Sequence, residues 1–133
     1  MNTMKFKYKK FETHILRPVI PIEIVFQGRS IHYEVLIDSG ADLCLFDAEI
    51  GEVLGIEIER GPRYEIGGIT GVIEYYHVHP ITLKVGGWNY PVEVGFMPKM
   101  PSFGHGLVGQ RGFFDLFIVK FDLIKEEIEL QRR

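Results

Sequence analysis

Two runs rich in β-branched residues, Val19 to Phe26 and Ile31 to Ile37, flank the polar break Gln27-Gly28-Arg29-Ser30. Such residues suit a pleated surface and a glycine lets the chain reverse, so this stretch predicts a β-hairpin whose second strand ends at Asp38. The sign recurs. Gly86-Gly87 separates Pro80 to Val85 from Trp88 to Phe96, and Ile66 to Thr70 (IGGIT) separates Ile56 to Glu65 from Gly71 to Val78. Near the C-terminus, Asp122 to Lys125 separates Phe117 to Phe121 from Glu126 to Gln131, where Ile128 and Leu130 alternate with charges. A chain punctuated this way must bury one face of many short strands, so an all-β class is expected, and fifteen glycines supply the turns.

Two short helices are expected within this β framework. Asp47 is placed to cap the first, in FDAEIGEVLGI, with Ile50, Val53 and Leu54 along one face. Gln110 to Leu116 is the second, with Phe113, Phe114 and Phe117 as its buried side. A chain of 133 residues fits one core. Residues 1–17 are expected to be an N-terminal tail or edge strand, and residues 18–133 the folded domain.

With 46% hydrophobic and 25% charged residues the composition is that of a globular protein, and a net charge of −3 gives no reason to expect a nucleic-acid partner. The one basic cluster, Lys5, Lys7, Lys9 and Lys10, alternates with Phe6, Tyr8 and Phe11. Lysines also keep exposed edges soluble, which favours a solvated edge over a nucleic-acid arm. No uncharged run reaches membrane-spanning length, so no membrane partner is expected. The single cysteine, Cys44, makes no internal disulfide, and the cytoplasm is the simplest location.

The chemistry centres on VLIDSGAD, residues 35–42, where an apolar strand runs into a carboxylate and then a glycine turn. An ionised acid is costly to bury without a partner, so its place at a strand end needs a reason. Asx-turns use the same residues to end strands, which leaves a purely structural reading open. His77-Val78-His79 puts two imidazoles on one strand face, but no carboxylate or cysteine falls at a recognised ligand spacing, so no metal site is expected and solvent-facing histidines are the simpler reading. Cys44 with His105 is a conceivable nucleophile and base, yet the apolar run Leu43-Cys44-Leu45-Phe46 favours a buried thiol. Trp88 is expected in the core or at an interface.

Three motifs in order carry a resemblance to the retropepsin-like aspartic proteases: VLIDSGAD at 35–42, IGGITG at 66–71 and GLVGQRGFFDLFIVKFD at 106–122. The resemblance runs from Val19 to the C-terminus. It implies a closed, mostly antiparallel barrel-like fold with one or two short helices and a site at a twofold axis. It also implies that Asp38 is catalytic, that Ser39 links two such turns, and that Gly40 accepts bonds from substrate. Ala41, Asp42, Ile66, Gly67, Gly68, Ile69 and Val108 would line the peptide-binding cleft. Ile37 and Val108 are equally placed to be core. Asp42 would either orient substrate main chain or pair with a nearby arginine.

Only one Asp-Ser/Thr-Gly turn is present, so the resemblance implies a homodimer in which two copies of Asp38 share a proton, the behaviour for which aspartic proteases are the standard example. The implied substrate is a peptide or unfolded protein, with no cofactor. The alternative is a dimeric peptide-binding module on the same fold that cleaves little. One departure stands out: the resemblance predicts an arginine that braces the active-site loop where this chain has Gln110. Either Arg111 takes over that role or the ion pair is absent.

Overall fold

The computed structural model describes residues 3–67, 71–100 and 105–133. Its strands are β1 (Thr3–Lys7), β2 (Lys9–Glu12), β3 (Ile15–Arg17), β4 (Val19–Phe26), β5 (Arg29–Ile37), β6 (Leu45–Asp47), β7 (Arg63–Gly67), β8 (Ile73–Val85), β9 (Trp88–Met97), β10 (Gly106–Val108), β11 (Phe117–Asp122) and β12 (Glu127–Arg132). One short helix, α1 (Ala48–Val53), and a 3-10 turn over Ile58–Arg60 complete the described elements.

A seven-stranded sheet has the order β4-β5-β10-β6-β9-β8-β7, and β8 also pairs with β4, so the pairings return on themselves. Most pairs are antiparallel, but β10 runs parallel to β5 and β6 parallel to β9. A separate three-stranded sheet, β1-β12-β11, joins the two ends of the chain. Between the sheets lie Ile20, Ile24, Val35, Phe46, Leu83, Val94, Phe96, Phe113, Phe117, Ile128 and Leu130, all fully buried. Burying a side chain of this size contributes about 1.5 to 3 kcal/mol, so the inward face of each strand holds the ring of pairings together.

Several local outcomes differ from expectation. Pro80 does not begin a strand, because Ile73–Val85 is continuous. Its ring costs no ladder bond since the residue falls between the β7 pairing, which ends at His77, and the β4 pairing, which begins at Thr82. Ile56 to Arg60 is not strand; Ile56 and Ile58 are buried around the 3-10 turn, and Gly61-Pro62 delays β7 to Arg63. In α1, Asp47 caps as expected, its Oδ1 accepting from the Glu49 N–H at 2.9 Å. Val53, however, is 64% exposed, and the buried face is Ala48, Gly51 and Leu54. A Cβ at Gly51 would stand 2.6 Å from Ile58 Cδ1, so close helix packing takes the place of bulk there.

The second helix is replaced by consecutive turns. The N–H groups of Phe114 and Asp115 reach back five residues, to the carbonyls of Gly109 (3.2 Å) and Gln110 (3.1 Å). Gly112, with φ at 97°, takes a conformation no helix contains, and its N–H donates to Asp115 Oδ1 at 3.0 Å. Phe113 and Phe117 are nevertheless fully buried, with ring centroids 5.0 Å apart.

His79 is half-buried, its Nε2 lying 2.7 Å from the Ile58 carbonyl and its ring 6.0 Å from Phe96, so it packs rather than facing solvent. Trp88 lies outside the core at 48% exposure, with the Arg132 guanidinium 4.5 Å from its ring. No described helix is long and apolar enough to cross a membrane.

Candidate active site

Strand β5 is pinned at its end. Ile37 donates its N–H to the Pro18 carbonyl at 2.9 Å and buries its side chain, and the next N–H, of Asp38, reaches the Val108 carbonyl at 2.9 Å. The chain then reverses: the Ala41 N–H donates to the Asp38 carbonyl at 3.1 Å, closing a β-turn over residues 38–41. Within it, the Gly40 N–H donates to Asp38 Oδ1 at 2.9 Å. The carboxylate is therefore oriented by its own turn. Among the described residues no donor meets its other oxygen, which is left available for chemistry. Asp38 is half-buried, while Ser39 and Gly40 are exposed.

A second loop holds this turn from below. Strand β10 inserts between β5 and β6, and Gly109 then passes under the turn so closely that a Cβ would collide with the Ala41 carbonyl and stand 2.7 Å from that of Leu43. The Gln110 N–H donates to the Ala41 carbonyl at 2.8 Å, and the Arg111 N–H to the Asp42 carbonyl at 3.0 Å. Gln110 also turns its side chain upward, Nε2 donating to the Ser39 carbonyl at 2.6 Å. The bracing left open between Arg111 and no brace at all is thus made by Gln110 itself, as a neutral amide clamp. Nothing local in the sequence signals it, because its two ends are 71 positions apart.

Other expected site residues divide. Ala41 and Asp42 lie on the turn, and among the described residues the Asp42 carboxylate makes no ion pair. Val108 is 0% exposed and in the core, so it supports the turn through its carbonyl and presents no side chain to a cleft. Ile66 and Gly67 lie at the end of β7, opposite Glu74 and Ile73; Gly68 and Ile69 lie outside the described residues. The β7–β8 arm carries exposed apolar side chains, Val72 and Ile73 among them. Near its base Tyr64 stacks on Tyr76 with centroids 5.7 Å apart, and these two rings with Leu43, Val78, Glu93 and Arg111 border a cleft of about 260 Å³.

Cys44 is fully buried, and burial pushes its thiol up to about 11. Its Sγ–H donates to the Arg111 carbonyl at 3.5 Å, and the His105 ring faces Phe11 with centroids 6.2 Å apart. The pair is not a nucleophile and base. Among the described residues no group of three or more His, Cys, Asp or Glu side chains is placed to hold a metal.

The sequence model of the aspartyl protease family matches residues 21–111, which contain the whole turn and its brace. No curated protein sequence matches the chain significantly. Among solved structures, a retropepsin-like aspartic protease from Rickettsia conorii is similar with a TM-score of 0.68 and 13% identity, covering 98% of this chain and 99% of that one. The EIAV protease complexed with the inhibitor HBY-793 is similar with a TM-score of 0.53 and 21% identity, covering 77% of this chain and 88% of that one.

Proposed function

The chain belongs to the aspartyl protease family, in its retropepsin-like branch, and from this premise we propose that it is a homodimeric aspartic endopeptidase whose catalytic pair is Asp38 from each of two copies. The observation that carries the reading is the Asp38 turn itself. Its carboxylate is oriented on one side by the Gly40 N–H, no donor among the described residues meets the other, and no second turn of its kind exists in the sequence. One copy holds half a site.

Two adjacent carboxylates do not both ionise at low cost, so the pair retains one proton, as is characteristic of aspartic protease dyads. A water held between them gives a proton to the ionised member while its oxygen attacks the scissile carbonyl carbon. The protonated member donates to the carbonyl oxygen as the carbon becomes tetrahedral. Proton transfer to the amide nitrogen then lets the C–N bond break and the amine leave. The step balances without a metal or organic cofactor.

In this reading Ser39 links the two turns across the axis, and Gly40 to Asp42 bind the main chain of an extended peptide. Ile66 and Gly67, with the exposed Val72 and Ile73 opposite them, shield it from water. The substrate is a peptide or unfolded protein, and the ring of pairings through β4 and β8 supports the closed barrel. A single buried cysteine is consistent with a reducing compartment such as the cytoplasm.

The test is cleavage of a denatured protein mixture between roughly pH 4 and 7 by wild type and Asp38→Asn, both verified as folded dimers. Cleavage by wild type alone supports the assignment. Equal cleavage by both refutes it, and peptide binding without cleavage by either establishes a binding module instead.

A further inference from the structure

The cleft of about 260 Å³ at the base of the β7–β8 arm combines apolar and aromatic surface with two opposite charges. The stacked rings of Tyr64 and Tyr76 border it together with Leu43 and Val94, and so do the side chains of Glu93 and Arg111. Gly95 makes the space. A Cβ there would stand 2.7 Å from Tyr76 Cδ2 and 3.3 Å from Leu43 Cδ1, so the glycine lets both side chains lie close on β9. Glu93 and Arg111 are exposed, and among the described residues neither forms an ion pair, with the other or with any third group. An exposed pair of this kind gains at most about 1 kcal/mol by closing, so both charges are open to a ligand.

The cleft is tied to the catalytic turn. Leu43 follows Asp42 directly and forms a parallel bridge with Arg111, which comes next after the Gln110 brace and donates its N–H to the Asp42 carbonyl at 3.0 Å. On the arm, alternation puts Tyr64 on the same face as Ile66, and the β7–β8 register sets Tyr64 opposite Tyr76. Side chains on one face of a strand recur about every 7 Å. An extended peptide that runs from Asp38 along this face therefore brings a side chain to the cleft beyond the one that lies beneath Ile66.

We propose that the cleft selects a glutamine side chain of the substrate. The inference rests on the peptide-cleaving reading of the site and gives that site a specificity. Charge sorts the candidates. A glutamate meets Arg111 but is repelled by Glu93, and a lysine meets Glu93 but is repelled by Arg111. A leucine covers the tyrosines yet takes water from both charges without replacing it. A primary amide is neutral, with a carbonyl to accept from the guanidinium and an NH₂ group to donate to the carboxylate, so it satisfies both at once. Glutamine suits the cleft better than asparagine because its longer stem covers more of the tyrosine and leucine surface. In a twofold dimer each copy supplies one such cleft, so the preference falls at the same distance on either side of the scissile bond.

Extended peptides in which Gln, Glu, Lys or Leu is placed in turn at each position test this. Ratios of kcat/KM between peptides are compared within each variant, so that any general loss of activity cancels. Wild type is expected to favour Gln at the cleft position over each of the other three by about tenfold. Removing one charge tips the preference in opposite senses: Glu93→Gln is expected to favour Glu over Lys, and Arg111→Gln to favour Lys over Glu. A merely structural role for either residue moves no such ratio. Binding of the same peptides to Asp38→Asn, read by fluorescence anisotropy, reports the cleft without cleavage. Cleavage with no preference among the four residues, or with Glu-to-Lys ratios that either substitution leaves unchanged, overturns the subsite and leaves the protease assignment standing. The expected order in binding, with no cleavage by wild type, supports the cleft and removes the protease. A chain that neither cleaves nor binds any of the peptides overturns both.

Discussion

Gln110 fixes the candidate site with two hydrogen bonds from one residue: its N–H holds the Ala41 carbonyl and its side-chain amide holds that of Ser39. The side-chain bond sets the Ser39–Gly40 peptide plane, and with it the N–H that orients Asp38, while the backbone bond fixes the Ala41–Asp42 plane one peptide further on. A net hydrogen bond of this kind is worth about 0.5 to 1.5 kcal/mol. Gln110→Ala is therefore expected to leave the fold intact and to lower kcat by about tenfold with KM nearly unchanged, because a misaligned carboxylate harms the reacting geometry more than peptide binding. Gln110→Arg restores a donor and is expected to recover most of the loss, whereas Gln110→Glu, which sets a carboxylate against a carbonyl, is not. Steady-state kinetics on protein of verified dimer content makes the comparison; an unchanged kcat for the alanine variant rejects the positioning role. Cys44 provides a second test at this scale. Its thiol is raised to about 11 from an ordinary 9.0 because burial disfavours the thiolate. The unfolded chain loses this proton first, so the contribution is complete below pH 9 and disappears as pH rises towards 11, by about 2 to 3 kcal/mol in all. Chemical denaturation at pH 7, 9 and 11 is expected to show that decline, reduced in Cys44→Ala, a variant that titrates nothing there.

At the scale of elements, the parts legible in the sequence were those whose determinants are local. The β4–β5 and β8–β9 hairpins follow from glycine-containing breaks between β-branched runs, and both turns contain residues at positive φ: Gln27 and Gly28 in one, Gly86 and Gly87 in the other. The α1 cap was likewise readable from Asp47. Three features were not, each for a different physical reason. Pro80 interrupts a strand only where a ladder bond is needed on its N–H side, and whether one is needed depends on where β4 and β7 end. Gln110 to Leu116 has the apolar spacing of a helix, but the single positive φ at Gly112 diverts it into turns. Strand β10 is three residues long, and its place between β5 and β6 is set entirely by distant partners. Asp38 itself was legible from its motif, whereas its support was not, since Val108 and Gln110 come from that distant loop. Gly109 is where this shows most clearly: Gly109→Ala introduces a Cβ against two carbonyl oxygens with no flexible side chain to yield. The substitution is expected to cost about 1 to 3 kcal/mol in thermal or urea unfolding and to reduce activity more than that loss of folded protein explains. An alanine variant as stable and active as wild type excludes this close approach.

At the scale of the whole molecule, the proposed dyad of one Asp38 from each copy would make activity a property of pairs. The N-terminal strand β1 lies against β12, with Met4 and Phe6 packed on the core, so both ends of the chain contribute to one sheet. A dyad built from one acid per copy predicts a mixing law. If wild type and Asp38→Asn exchange freely, only wild-type pairs hold two acids, and their share of all pairs falls with the square of the wild-type fraction. Adding an equal amount of Asp38→Asn to a fixed amount of wild type is then expected to lower total cleavage to about half, and a large excess to abolish it, although no wild-type chain has been removed. A catalytic monomer gives unchanged activity at every ratio. Dilution of wild type alone distinguishes the same cases, since specific activity falls below the dimer dissociation constant only if pairing is required. The two measurements must agree on one dissociation constant, and disagreement between them rules out the shared site even if each alone has the expected sign.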